Sequence, residues 1–228
     1  MVDFIRSAWR CLGMFISDVF WRVLFRARVF GVPVFPQTGG ALVACNHLSN
    51  FDPMFTGWNV VNGFGRFSLR RIWIPAKEEL FFFPLGPIIR SWGAFPVRRK
   101  AHDLKSMALA AERAKTDVVM IYPEGTRSKT GELGPGKAGV GKIIYDSRAT
   151  VIPTVVFNTR YCWPQGSWFP RLFVPLRFVW GKPLDLSRHY AMPDCKETSQ
   201  AIVDEVMRAI GELQKEYAHL DMNYNKPK

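Results

Sequence analysis

Five apolar residues, Ala41-Leu42-Val43-Ala44-Cys45, run directly into the polar stretch Asn46-His47-Leu48-Ser49-Asn50-Phe51-Asp52-Pro53. A short apolar run that ends in turn-forming residues predicts a buried strand. In open α/β folds, ligands bind beyond the edge at which such strands end. The sequence therefore places His47 at the expected functional edge of a sheet.

The spacing of His47 and Asp52 leaves two interpretations open. On a regular helix, five steps of about 100° would put the two side chains on different faces, so only a turn can bring them together. Ser49 and Asn50 favour such a turn, whereas Asp52-Pro53 is typical of a helix N-cap followed by proline. The pair is either a general base with its orienting carboxylate or a loop histidine beside a cap. Asp52 could also do both, with one carboxylate oxygen for each.

Composition narrows the class of partner. The 228 residues predict one catalytic-size domain, and the formal net charge of +12 calls for an anionic partner. Aromatic residues make up 14% of the chain and occur in runs such as Phe81-Phe82-Phe83, whereas nucleic-acid stacking surfaces scatter them among basic residues. An anionic lipid surface is therefore favoured over nucleic acid.

Residues 1–30 combine large apolar side chains with five arginines, which predicts an interfacial membrane helix or helix pair. The alternative is an amphipathic helix that packs on the core. No run reaches the roughly 18 apolar residues of a spanning helix, so we expect a peripheral or monotopic protein. The four cysteines form no CxxC pair, which favours reduced thiols and the cytoplasmic face of the cell membrane. The catalytic domain is expected over residues 31–228.

Two further strand ends carry candidate phosphate-binding residues. The run Val118–Tyr122 stops at Pro123, and Glu124-Gly125-Thr126-Arg127-Ser128 follows it. Gly125 allows close backbone approach and Arg127 can bind phosphate with two prongs, although Glu124 and Arg127 could instead pair as a loop staple. Lys137 lies in a glycine-rich loop without the P-loop pattern, and Arg99 follows the run Gly93–Val97.

Four blocks, taken in order, resemble the glycerolipid acyltransferases that make phosphatidic acid, of the bacterial PlsC-like type. They are Asn46-His47-Leu48-Ser49-Asn50-Phe51-Asp52, Gly93-Ala94-Phe95-Pro96-Val97-Arg98-Arg99, Tyr122-Pro123-Glu124-Gly125-Thr126-Arg127-Ser128 and Val151-Ile152-Pro153. The second block departs from the family, which often has an acidic or amide residue where Arg98 stands. The alternation of buried strands and helices predicts an α/β fold with a mostly parallel or mixed central sheet flanked by helices.

The resemblance implies transfer of an acyl group from acyl-CoA or acyl carrier protein to the free hydroxyl of lysophosphatidic acid. His47 would be the general base and Asp52 would orient it, without any metal or cofactor. The acceptor would contact the residues that match the family's binding motifs, with Lys137 as a further helper: Arg99, Glu124, Gly125, Thr126 and Arg127. Glycerol 3-phosphate or another lysolipid is the alternative acceptor.

Two rival interpretations remain. If strand geometry continued through Asn46, Cys45 and His47 would share a face, and a Cys-His pair could form an acyl-enzyme. Alternatively, the chain could be a non-catalytic lipid-binding protein that uses the same basic and aromatic residues at a membrane surface.

Overall fold

Seven strands form one mixed sheet in the computed structural model, which describes residues 15–63, 71–83, 85–91, 93–97 and 104–223. The strands are β1 (Arg28–Phe30), β2 (Ala41–Cys45), β3 (Ile72–Lys77), β4 (Ala94–Val97), β5 (Val118–Ile121), β6 (Thr150–Phe157) and β7 (Arg177–Trp180). Their order across the sheet is β1-β7-β6-β2-β5-β3-β4. Neighbouring strands are parallel except for the antiparallel pair β6 and β7, so the expected mixed α/β sheet is confirmed.

Helices cover both faces of the sheet. They are α1 (Asp52–Gly63), α2 (Leu85–Ser91), α3 (Leu104–Ala114), α4 (Ala138–Ser147), α5 (Thr159–Cys162), α6 (Ser187–Tyr190) and α7 (Lys196–Glu216), with 3-10 turns at Glu78–Leu80 and Ala218–Leu220. Within the described ranges, no helix is long and apolar enough to cross a bilayer.

The strand β2 lies at the centre of two hydrophobic clusters. Leu42 and Ala44 face one cluster, which contains buried side chains of α3, α4 and α7. Val43 and Cys45 face the other, which contains Trp21 together with aromatic residues of α1. All five β2 residues are buried, as expected of a strand covered on both faces. This double burial explains why the run is continuously apolar.

The N-terminal segment packs on the domain through part of its surface. Residues 15–19 are helical, and a π-helical turn continues over Phe20–Leu24. Trp21 is buried against aromatic residues of α1 and Phe25 is buried in the same cluster, whereas Phe15, Ile16 and Val23 are exposed. One face of this segment thus packs on the core, and contact of its exposed face with a membrane stays a prediction. Residues 1–14 lie outside the described residues.

The strand register brings three strand ends to one edge. Ala44 of β2 pairs with Ile121 of β5, and Cys45 pairs with Thr154 of β6. Because these strands are parallel, the segments that follow β2 and β5 leave the sheet side by side. The sheet therefore brings His47 next to Tyr122 and Glu124.

Candidate active site

The contact between His47 and Asp52 is present. His47 Nδ1 lies 2.7 Å from Asp52 Oδ2, and both residues are buried. The turn Asn46–Phe51 brings the two side chains together, because α1 begins only at Asp52. The carboxylate oxygen accepts the Nδ1 proton, which leaves the lone pair of Nε2 as the proton acceptor of the ring.

One oxygen of Asp52 organises the whole turn. Asp52 Oδ2 also accepts the backbone N–H groups of Leu48 at 2.6 Å and Ser49 at 2.7 Å. Asp52 Oδ1 has no hydrogen-bond partner among the described residues. The expectation that one oxygen caps the helix while the other orients His47 is therefore wrong. The donors belong to the turn before the helix, so the carboxylate fixes the loop and the imidazole together.

Glu124 joins the second motif to the first. Its Oε1 accepts the backbone N–H of His47 at 2.9 Å, and its Oε2 accepts that of Gly134 at 3.0 Å. Burial raises the pKa of Glu124, and the two backbone donors oppose that shift. Both residues lie in the described part of the chain, and the two Glu124 oxygens bind these backbone N–H groups and form no ion pair with Arg127, so the loop-staple interpretation is wrong. Each oxygen keeps a second lone pair, so Glu124 can still accept a hydrogen bond from a substrate hydroxyl.

Asn46 and Tyr122 support His47 in ways that the sequence did not indicate. Asn46 Nδ2 donates to the carbonyl of Val156 at 3.1 Å, and the Val156 N–H donates to Asn46 Oδ1 at 2.8 Å. The amide thus continues the pairing of β2 with β6 by one residue. The Tyr122 ring stacks on the imidazole with ring centroids 4.3 Å apart. The position of Asn46 directly after the strand is consistent with this role but does not predict it.

The thiol of Cys45 is poorly suited to be a nucleophile. It is fully buried beneath the site, where it contacts Asn46 Oδ1 and Thr56 Oγ1 at 3.6 and 3.9 Å. Desolvation raises the pKa of Cys45 to about 12. The reactive species of a cysteine is the thiolate, which is scarce at neutral pH under these conditions. The Cys-His interpretation therefore loses its chemical basis.

The other candidate binding residues lie around the loop that follows β5. Gly125 has a positive φ of 67° and donates its N–H to the Tyr122 carbonyl in a tight turn. A Cβ at Gly125 would lie 3.3 Å from the Lys137 side chain, so Lys137 crosses this turn. Thr126 is exposed and Arg127 is half-buried. Arg99 lies outside the described residues, and its role remains a prediction.

Comparisons with known proteins show which family this chain resembles. The profile of the family described as Acyltransferase matches residues 26–157. The 1-acyl-sn-glycerol-3-phosphate acyltransferase of Cocos nucifera is 30% identical over 129 residues, which are 56% of this chain and 40% of that protein. The enzyme of that name from Salmonella typhimurium is 30% identical over 125 residues, 53% of this chain and 48% of that protein. The chain spans about half the length of the curated relatives it matches.

A solved structure shares the fold. The crystal structure of the 1-acyl-sn-glycerophosphate acyltransferase PlsC from Thermotoga maritima superposes with a TM-score of 0.61 at 23% identity, over 92% of this chain and 83% of that chain. The family profile covers more than half of the 228 residues and includes both the His47–Asp52 pair and the Glu124 loop. On these grounds, this chain belongs to the acyltransferase family.

Proposed function

We propose that the chain transfers a fatty acyl group from acyl-CoA or acyl carrier protein to the free hydroxyl of lysophosphatidic acid, giving phosphatidic acid. The observation that carries the proposal is the 2.7 Å contact between His47 Nδ1 and Asp52 Oδ2 at the edge where β2 ends. The names of the related enzymes from Cocos nucifera and Salmonella typhimurium support this choice of acceptor.

In the proposed reaction, His47 Nε2 takes the proton of the acceptor hydroxyl as its oxygen attacks the thioester carbonyl. The C–O bond forms, the C–S bond breaks, and the imidazolium returns the proton to the departing thiolate. Asp52 stabilises the imidazolium through Nδ1 while it exists. A positioned base of this kind supplies a factor of about 10² to 10⁴, and positioning of the two substrates supplies the remainder.

The acceptor phosphate would lie against the loop that follows β5. Arg127 and Lys137 supply cations there, and the Gly125 turn leaves room for close backbone approach. Glu124 fixes this loop to the backbone of His47, so a substrate held by the loop has a defined position relative to the base.

The test is thiol release from oleoyl-CoA in the presence of lysophosphatidate. We expect release by the wild type and its loss, by at least roughly 10²-fold, in His47→Ala. The matched control is Cys45→Ala, which removes a neighbouring buried side chain and should keep most of the activity of the folded protein. Loss of activity in a folded Cys45→Ala together with an active His47→Ala would overturn the general-base assignment.

A panel of acceptors resolves the substrate. Lysophosphatidate should be used faster than glycerol 3-phosphate or lysophosphatidylcholine. Faster acylation of glycerol 3-phosphate would show that the proposed acceptor is wrong, whereas the proposed role of His47 as general base would stand. Vesicle binding without thiol release from any acceptor would instead favour the non-catalytic lipid-binding protein.

We further propose that the protein acts as a peripheral or monotopic protein on the cytoplasmic face of the cell membrane. Phe83, Trp168 and Phe169 are 80–89% exposed. They follow β3 and β6, whose carboxyl ends lie at the His47 edge of the sheet. The Phe173 N–H donates to the Leu24 carbonyl at 2.7 Å, which joins the loop after α5 to the N-terminal segment. Large apolar side chains beside a net positive charge suit an anionic lipid surface.

Vesicle sedimentation tests the membrane proposal. Trp168→Ser/Phe169→Ser should weaken binding to vesicles containing phosphatidylglycerol by roughly tenfold or more, since full burial of one large apolar side chain is worth about 1.5–3 kcal/mol. The control is Met192→Ser, which changes an exposed apolar residue that follows α6. Equal binding of all three proteins would contradict the proposal.

A further inference from the structure

A cationic cleft opens beside the His47 turn. It has a volume of about 520 Å³, and its walls include Leu48, Ser128 and Tyr161 together with the basic residues Lys129, Arg160 and Arg171. We propose that this cleft, here called the Arg171 cleft, binds the phosphate end of a phosphopantetheine thioester, the acyl donor. The proposal rests on the acyl transfer proposed above and assigns a binding site for its second substrate.

The cleft is attached directly to the turn that carries the base. The Ser128 N–H donates to the His47 carbonyl at 2.8 Å. Ser49 Oγ donates to the Trp163 carbonyl at 2.9 Å, in the loop that forms the other wall. That loop is closed at its ends by the Arg171 N–H, which donates to the Cys162 carbonyl at 2.6 Å. A ligand in the cleft is thus held by segments that are hydrogen-bonded to the His47 turn.

The charge of the cleft is unbalanced. None of the residues that line it is acidic, whereas three of them are cationic. Lys129 and Arg171 are exposed, and their side chains form no ion pair within the described part of the chain. The Arg160 guanidinium donates to the Thr130 carbonyl, so it is held at the wall. Exposed cations that have no ion-pair partner among the described residues, here Lys129 and Arg171, are suited to phosphate groups.

The position of the cleft favours the donor over the acceptor. The Glu124 side chain accepts the N–H of His47, and the Ser128 N–H donates to the carbonyl of His47. The loop from 124 to 128 therefore runs alongside His47, with Glu124 at its first end and Ser128 at its second. The acceptor residues Gly125 and Lys137 belong to the first end, and the cleft begins at the second. Two phosphorylated substrates must meet at His47, and each requires its own cations.

The size of the cleft agrees with this assignment. A volume of about 520 Å³ is more than one phosphate monoester would fill, and small-molecule sites typically measure about 300–1,000 Å³. Coenzyme A places several phosphates at one end of a long pantetheine arm, which could pass Leu48 and bring the thioester to His47. An acyl carrier protein presents the same arm with one phosphate on its serine. The shared chemistry is the phosphopantetheine phosphate.

The test neutralises two of the three cations. Lys129→Gln/Arg171→Gln should raise KM for oleoyl-CoA by roughly fivefold to tenfold, because exposed charge pairs each contribute only modestly to binding in water. The kcat, the KM for lysophosphatidate and the KM for phosphate-free oleoyl-pantetheine should not change. The charge-matched control is Lys115→Gln/Lys182→Gln, which changes two exposed lysines beyond the opposite edge of the sheet. This control should behave as the wild type.

Three results with the Lys129→Gln/Arg171→Gln protein would overturn the proposal. They are a raised KM for lysophosphatidate, an equal rise in KM for oleoyl-CoA and oleoyl-pantetheine, and an unchanged KM for every thioester. Parallel assays with oleoyl-CoA and oleoyl-acyl carrier protein distinguish the two sources of the phosphopantetheine. A raised KM for either donor supports the assignment of the cleft and identifies that donor as the source of the phosphopantetheine. An unchanged KM for both donors overturns the assignment.

Binding measured without turnover separates this proposal from the proposed function. Equilibrium dialysis with CoA and titration with holo-acyl carrier protein should show weaker binding by the Lys129→Gln/Arg171→Gln protein and unchanged binding by His47→Ala. If the wild type acylates no acceptor, the proposed function fails, yet the cleft remains testable by these measurements. If the wild type binds neither CoA nor carrier protein, or if the double variant binds them equally well, the cleft assignment fails.

Discussion

Replacing Asp52 by asparagine tests whether one carboxylate oxygen both holds the turn and stabilises the charged His47. Asp52 Oδ2 accepts three hydrogen bonds, from His47 Nδ1, the Leu48 N–H and the Ser49 N–H, at 2.6–2.7 Å. An asparagine can place its oxygen at the same position, so the acceptor and the tautomer of His47 survive. What is lost is the negative charge.

The geometry gives the expected loss of stability and the expected loss of kcat in Asp52→Asn. Hydrogen bonds to a charged group contribute about 1.5–3 kcal/mol and neutral ones about 0.5–1.5, so three weakened bonds amount to about 3 kcal/mol. Relief of a fully buried charge offsets part of this cost, which leaves about 2 kcal/mol of lost stability. Breaking the buried pair with the imidazolium costs about 3–4 kcal/mol, or roughly 10²- to 10³-fold in kcat.

The assay is steady-state thiol release at saturating lysophosphatidate, with urea unfolding of the same protein samples. Asp117→Asn is the matched control, because Asp117 accepts the Trp73 Nε1–H at 2.8 Å and lies just before β5, at the opposite edge of the sheet. It should lose stability without losing kcat. The variant His47→Ala/Asp52→Asn should be no slower than His47→Ala, because Asp52 acts through His47.

A folded Asp52→Asn protein with kcat within twofold of the wild type would refute this reasoning. So would a double variant that is much slower than His47→Ala, since Asp52 would then contribute to the rate independently of the imidazole. A loss of kcat in Asp117→Asn equal to that in Asp52→Asn would attribute the effect to general destabilisation.

Two further predictions concern the residues beside His47. At pH 8, iodoacetamide should label Cys195 in preference to Cys45, because burial raises the pKa of Cys45 to about 12 and only pH values near that range produce its thiolate; mass spectrometry of the labelled peptides checks this, and fast labelling of Cys45 in the folded protein would contradict it. Asn46→Ala should lower the free energy of unfolding by about 2–4 kcal/mol, because it leaves the N–H and carbonyl of Val156 buried without their partners. Urea denaturation measures that loss, and a change below about 0.5 kcal/mol would show that the site relaxes.

The sequence predicts the sheet well where burial alone decides the structure. The run Ala41–Cys45 is a strand because both faces are covered, and α1 begins at Asp52 with Pro53 in its first turn. The stretch from Leu172 to Trp180 shows the limit of this reasoning, because its apolar composition predicts one strand over its whole length. Only Arg177–Trp180 forms a strand there, whereas Leu172 and Phe173 are exposed. A hydrophobic run alone does not distinguish a buried strand from a surface loop that presents apolar side chains.

Some contacts of the candidate site could also be predicted from the sequence, and others could not. The contact of His47 with Asp52 was one of two open interpretations, because the turn-forming residues Ser49 and Asn50 favour it without requiring it. The approach of their turn to the Glu124 loop could be predicted, because parallel strands deliver their carboxyl ends to one edge. Which atom binds which group could not be predicted. The backbone N–H of Gly134 is ten residues from Glu124, and Val156 is 110 residues from Asn46. Such contacts depend on how loops fold back, which neither periodicity nor spacing encodes.

These loop contacts explain how the edge of the sheet holds His47 in place without regular secondary structure around it. The segment from Asn46 to Phe51 has no helix or strand, yet its backbone is fixed at successive residues by Glu124, Ser128 and Asp52. These hydrogen bonds fix the backbone on both sides of the imidazole, and the two ends of the loop adjoin different regions. The Glu124 end adjoins the proposed acceptor residues, and the Ser128 end adjoins the Arg171 cleft. The hydrogen bonds that fix His47 are thus the same contacts that place the two proposed binding regions on either side of it.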